Sequence, residues 1–496
     1  MRYHFISACI ACIGILYITG CESTHQKEER LAKQYCASCH AFPEPGLLTK
    51  KIWHYDIMPQ MAFRMGFEDM KLIMQLSDED RNIVLQSLPD KPMLSQEEFD
   101  AIRHYYERLA PDSLTLPPVP ATQPLTQFDV TTLQLPEKTL PFVTLVKADT
   151  LHQNIYIGTR LSKLYTFSDK FVLKDSLKLE SPLSDMIFYP DSTMMLFMGM
   201  MDPNDLSKGK LASLHNQQRP VLEGLQRPVH IQQTDLNNDG LTDYIVCGFG
   251  NYTGALQAYE NLGNNRYKKH TLIQTPGARN TVIEDIDHNG LPDITVLMTQ
   301  GDERIIMLLN QGGFDFRVNT VLRFPPVYGS AYFELVDFNG DGKKDIVYIN
   351  GDNADYSITF KPYHGIRIFQ NDGTNHFEET WFYPLYGAFQ SRTADYDQDG
   401  DLDIAAISFF PDFVQHPENG FIYLENTGKG FTAYTTPLAG SGKWITLDAA
   451  DIDQDHDIDI LLGALDFEFK VPPPLLKQWH TDRTSVLVLK NTLHGK

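Results

Sequence analysis

Residues 337–345 read Asp337-Phe338-Asn339-Gly340-Asp341-Gly342-Lys343-Lys344-Asp345. Acidic or amide side chains occupy positions one, three, five and nine, and position six is glycine, which admits a sharp turn. The pattern occurs four more times: Asp235, Asn237, Asp239, Gly240, Asp243; Asp285, Asp287, Asn289, Gly290, Asp293; Asp395, Asp397, Asp399, Gly400, Asp403; and Asp451, Asp453, Asp455, His456, Asp459. Successive first aspartates lie 50, 52, 58 and 56 residues apart. A period of this size, with several β-rich runs in each repeat, points to a propeller or solenoid. After each loop comes an apolar run such as Asp345-Ile346-Val347-Tyr348-Ile349, then a strand ending in asparagine, as at Asn261, Asn371 and Asn426. Residues 142–181 and 184–220 have the same strand rhythm without the loop. That makes seven repeats over residues 128–496, about 53 residues each, which suits four-stranded blades. The last repeat ends at Val486-Leu487-Val488-Leu489-Lys490-Asn491, one strand short. Residues 128–136 supply a candidate for it, and pairing them there closes the ring and removes the open sheet edge.

Hard oxygen ligands in a flexible, glycine-containing loop suit Ca²⁺. The twenty Asp and Asn residues at positions one, three, five and nine are therefore the candidate calcium ligands, for about four or five ions. The loop is no EF-hand, since strands flank it and no glutamate follows at position twelve. The fifth copy departs most, with His456 at the glycine position and two further aspartates. The pattern resembles FG-GAP (VCBS-type) repeats, over residues 140–496.

The N-terminal fifth is different. Residues 5–20 are mainly apolar but too short to span a bilayer. The run ends Ile18-Thr19-Gly20-Cys21 and turns polar at once. This resembles a bacterial lipoprotein signal, which implies cleavage after residue 20, lipidation of Cys21, a tether over 21–27, and a membrane-held protein on the non-cytoplasmic side, in the periplasm, at the outer membrane or at the cell surface. Beyond the tether stands Cys36-Ala37-Ser38-Cys39-His40. Two thiols one helical turn apart can add to the two vinyl groups of a haem, and the adjacent imidazole can then ligate the iron. A zinc site would need further Cys or His at ligand spacing, and a thioredoxin-like site would need a βαβ context. Met61 is the candidate sixth ligand, with Met58 and His54 as alternatives; a thioether raises haem potential and suits electron transfer. Met61 is expected to follow a turn at Pro59, and the pair resembles the Pro-x-Met pattern of bacterial cytochromes, which places Met61 on their ligand loop. Ser95-Gln96-Glu97-Glu98 is a capping box opening a helix whose apolar residues Phe99, Ile102, Tyr105, Tyr106 and Leu109 share a face. Residues 28–112 thus read as a small all-α cytochrome c domain, and 113–127, with four prolines, as a semi-rigid linker. The whole resembles bacterial lipoproteins that fuse a cytochrome c to an FG-GAP propeller.

The chain has 42 basic and 64 acidic residues and a net charge of −22, which excludes a nucleic-acid partner. No G-x-S-x-G or H-E-x-x-H motif is present, so hydrolase chemistry has no sequence support. The expected function is haem-dependent electron transfer with a redox partner protein or a quinone-linked dehydrogenase, the propeller serving as docking or substrate-binding scaffold. A dehydrogenase-type enzyme with a catalytic propeller and a binding or adhesion propeller are the alternatives. For the former, the inner strands offer Glu334, Arg392 and Asp448 near the axis. Long loops at 350–364, 410–420 and 466–484 are expected on the face opposite the aspartate loops, where they would build a shared rim.

Overall fold

The computed structural model describes residues 22–137, 139–353, 359–466 and 471–493. The expected signal segment and Cys21 lie outside them. No helix among the described residues is long and apolar enough to cross a membrane.

Residues 143–491, with Phe128–Leu133, form seven four-stranded antiparallel blades. In each blade with an aspartate loop the second strand is buried along its whole length, for example Asp345–Asn350 and Asp403–Ser408. This is why these runs are continuously apolar rather than alternating: each is covered by a neighbouring blade on both faces. Outer strands such as Phe316–Arg323 are largely exposed. Phe128–Leu133 pairs with Val486–Asn491 in register Phe128↔Asn491 to Leu133↔Val486, so the first strand of the propeller sits outermost in its last blade. The linker adds a short fifth strand, Gln123–Pro124, parallel to Phe431–Thr435 of the sixth blade.

All seven inner strands carry a register shift within their first three residues, as between Ser330 and Tyr332. Such bulges re-aim side chains, and below them the inner strands are fastened blade to blade. Asp185 accepts from the Ile231 N–H at 3.3 Å, Asn280 donates to the Phe333 carbonyl at 3.0 Å, Glu334 accepts from the Thr393 N–H at 2.9 Å, Gln390 bonds both backbone groups of Leu447 at 3.1 Å, and Asp448 accepts from the Ala148 N–H at 2.9 Å.

The N-terminal region is helical, with Thr24–Cys36 packed against Gln96–Leu109. Both helices open on complete capping boxes, Ser23 with Gln26 and Ser95 with Glu98. The buried Glu28 carboxylate joins them, accepting from Arg108 at 3.1 Å. Trp53 and Tyr106 pack at 4.3 Å and donate to the Pro45 and Pro43 carbonyls. This core is completed from outside: Val327 and Tyr363 of the propeller belong to the same buried cluster.

Candidate functional site

The helical region rests on the propeller face opposite the aspartate loops, over blades two to five. Asp205 builds one contact: its Oδ1 accepts from the N–H groups of Asn251, Tyr252 and Thr253 at 2.7–2.9 Å, while its own N–H donates to Asp80 at 2.8 Å. The loop so fixed sets Tyr252 edge-on to Phe63 and beneath the Arg64 guanidinium at 4.3 Å. Lys208 pairs with Glu79, the Tyr363 hydroxyl donates to the Leu47 carbonyl at 3.2 Å, and Arg323 reaches the Cys39 carbonyl at 3.5 Å.

Between the two parts lies a cavity of about 400 Å³. Cys36, Cys39 and His40 line it, as do Met58, Met61 and Met65, together with Glu303 and Lys361 from the propeller. Cys36 ends the first helix and is buried, and burial pushes its thiol up to about 11. Cys39 is exposed, and neither cysteine is in a disulfide. His40 Nδ1 lies 2.9 Å from the Ala41 carbonyl; the tautomer that donates there leaves the Nε2 lone pair for a metal. Burial also holds this imidazole below its usual range, favouring the neutral ligating form. Two thiols, a neutral imidazole and thioethers around one largely apolar cavity are a donor set that fits a covalently held haem.

Pro59 does not make a turn here. It lies in the first turn of the helix Met58–Arg64, which follows a π-helical turn at Trp53–Ile57. Helical backbone runs unbroken from Lys50 to Arg64, and the π-turn just before Pro59 loosens the ladder where a residue with no N–H must be fitted. Helical spacing brings Met58, Met61 and Met65 to one side. His54 turns away to Glu107 at 2.5 Å and does not line the cavity.

The long loops divide their work. That of blade five carries Tyr363 and Lys361 to the helical region, whereas those of blades six and seven pack on each other. Trp479, in the helix Pro473–Asp482, is fully buried against Phe413 and donates to the Gly440 carbonyl at 2.9 Å. Asp355 and Tyr356 of the blade-five loop lie outside the described residues. Of the axial candidates, Arg392 stands 3.9 Å from Asp448 and donates to the Tyr332 hydroxyl at 2.6 Å, while Glu334 and Asp448 are engaged as the blade fasteners described above.

The aspartate loops follow one plan. The first carboxylate accepts from the position-six N–H, at 2.7 Å for Asp235 and 2.9 Å for Asp337. Position nine is buried in every copy, and its two oxygens accept from the position-two N–H and from the asparagine ending the third strand: for Asp345, Phe338 at 3.2 Å and Asn371 at 2.9 Å. Carboxylate oxygens converge within 4.8 Å in Asp285, Asp287 and Asp293, in Asp395, Asp397 and Asp399, and in Asp451, Asp453 and Asp455. The last set differs, because the Lys490 ammonium enters it and pairs with Asp453. Position six is left-handed throughout, and His456 adopts it at φ 74°. His456→Gly is therefore expected to raise stability by about 1 kcal/mol, read from the urea unfolding midpoint.

Sequence reasoning missed Glu303 and Tyr252, which stand alone in strand-to-strand connections, and Arg323, which ends the outer strand Phe316–Arg323; none of them carries a motif.

The sequence profile of FG-GAP-like repeats matches residues 235–296 and 285–348. None of the curated proteins matches this chain. Among solved structures, the N-terminal domain of Nup159 is similar at 12% identity and a TM-score of 0.43, over 76% of this chain and 98% of that one. The Neurospora crassa Pan2 WD40 domain is similar at 11% identity and a TM-score of 0.45, over 74% and 97%. BBS1N in complex with ARL6DN is similar at 10% identity and a TM-score of 0.42, over 70% and 91%. The chain thus carries FG-GAP-like repeats within an all-β seven-bladed propeller, preceded by a helical region.

Proposed function

We propose that this chain is an electron-transfer protein in which Cys36 and Cys39 would hold haem c and His40 and Met61 would supply the protein's ligands to its iron, and that its propeller is a calcium-stabilised scaffold. A lipid on Cys21 would keep it at a membrane on the non-cytoplasmic side. The observation carrying the reading is the cavity in which the C-x-x-C-H motif and the methionine face meet. Haem bound there supplies one-electron chemistry. The chain's own part is to fix the imidazole through the Ala41 carbonyl, to offer a thioether, and to exclude water with Trp53, Ile57 and Met58. A redox partner protein or quinone-linked dehydrogenase would exchange the electron. The calcium part rests on the converging first and third positions, joined by position nine in the second loop and by position five in the fourth and fifth.

Met61→Ala tests the ligand assignment. It is expected to retain covalent haem and to lower the midpoint potential, because a soft thioether favours the reduced iron. An unchanged potential would assign the sixth position elsewhere, with Met58→Ala the next variant.

A further inference from the structure

The propeller does more at the cavity than support the helical region. Glu303 and Lys361 both line it, and each is only 2% exposed. They arrive from different blades. Glu303 ends the connection between the second and third strands of blade four, and its carboxylate is held by the N–H groups of Gly329 at 3.1 Å and Ser330 at 2.7 Å. Lys361 comes from the long loop of blade five, beside Tyr363, which joins the helical core. Neither group belongs to the C-x-x-C-H motif or the methionine face. A charge withdrawn from water acts over a longer range than a surface charge, because little solvent screens it.

We infer that the propeller sets the redox potential of the group in this cavity through the buried charges of Glu303 and Lys361. The inference rests on the haem reading above. An anion at Glu303 favours the oxidised iron, which carries one more positive charge; a cation at Lys361 favours the reduced iron. The propeller thereby becomes the second wall of the redox site, and its blade-four and blade-five loops are the part that tunes it. Burial pushes the Glu303 carboxyl up to about 7, so its charge is fully expressed only in alkaline solution.

The test is a reductive titration of the full-length haem-loaded chain at about pH 9, where the carboxyl is ionised. Glu303→Gln is expected to raise the ferrous-to-ferric ratio at fixed ambient potential about tenfold, a 59 mV shift for a one-electron couple. Lys361→Met is expected to lower that ratio by a similar factor, and Lys361→Arg to restore it. Opposite signs are the discriminating feature, since general loosening of the cavity would move both variants the same way. Glu303→Gln retains only part of the grip on Gly329 and Ser330; if it does not fold, the Lys361 pair carries the test alone. Shifts of one sign, or none, in chains that hold haem would overturn the inference and leave the electron-transfer reading standing. A wild-type chain that attaches no haem would end both.

Discussion

A chain carrying Cys36→Ala and Cys39→Ala is expected to fold and to lose covalent haem completely. After denaturation no haem absorbance should remain with the polypeptide, whereas the wild type keeps it. Folding should survive because neither side chain is a large part of the core: Cys39 is exposed, and Cys36 is a small residue at the end of its helix, where alanine leaves a gap worth about 1 kcal/mol at most. The helical core keeps Trp53, Tyr106, Phe99 and the propeller's Tyr363. Single variants should each leave one thioether and a weaker, strained attachment. Persistence of covalent haem in the double variant would remove the motif from the account.

The second large effect belongs to the propeller. Asp345→Ala is expected to destabilise it by about 3 kcal/mol, because the buried N–H of Asn371 and the part-buried N–H of Phe338 lose their acceptor and each orphan costs about 1–3 kcal/mol. This loss should persist in chelator, where only the pinning role of the carboxylate remains. Asp397→Ala is the contrast. Its carboxylate is only part-buried and holds one N–H, that of Asp399 at 3.2 Å, so in chelator the change should cost less than about 1 kcal/mol. In calcium it should cost more, by the binding energy the site contributes, RT ln(1 + [Ca²⁺]/Kd). Urea unfolding of both variants in calcium and in EGTA reads the two effects separately. Equal behaviour of Asp397→Ala in the two buffers would show that the loops are hydrogen-bonded turns alone.

The propeller was legible because its signal is periodic. Five aspartate loops at intervals of 50 to 58 residues announce repeated blades, and two further units show the same strand rhythm without them. The double role of position nine was not legible. An aspartate there suits a cation and suits a pin equally well, and the asparagine it pins lies 17 to 32 residues further on, at a distance set by the blade. Pro59 misled for a local reason: a proline reads as a turn or a helix end, whereas here the π-turn before it lets the helical run continue through it. The partnership of the helical region with blades two to five was invisible for a different reason. Its residues, Asp205, Tyr252, Val327 and Tyr363, are scattered over four loops and share no spacing. The axial trio was found by counting alternate positions, but the count could not tell that Glu334 and Asp448 face backbone N–H groups of the next blade.

The central claim is that the C-x-x-C-H motif and the methionine face hold a haem against the propeller. The most direct measurement is the intact mass, taken with the visible spectrum, of the full-length chain produced alongside haem c maturation machinery. The account predicts a mass heavier by one haem that persists through denaturation, with a spectrum that cycles reversibly between oxidised and reduced forms. A mass equal to the bare polypeptide, with Cys36 and Cys39 both open to alkylation, would contradict it and leave a propeller of the binding class.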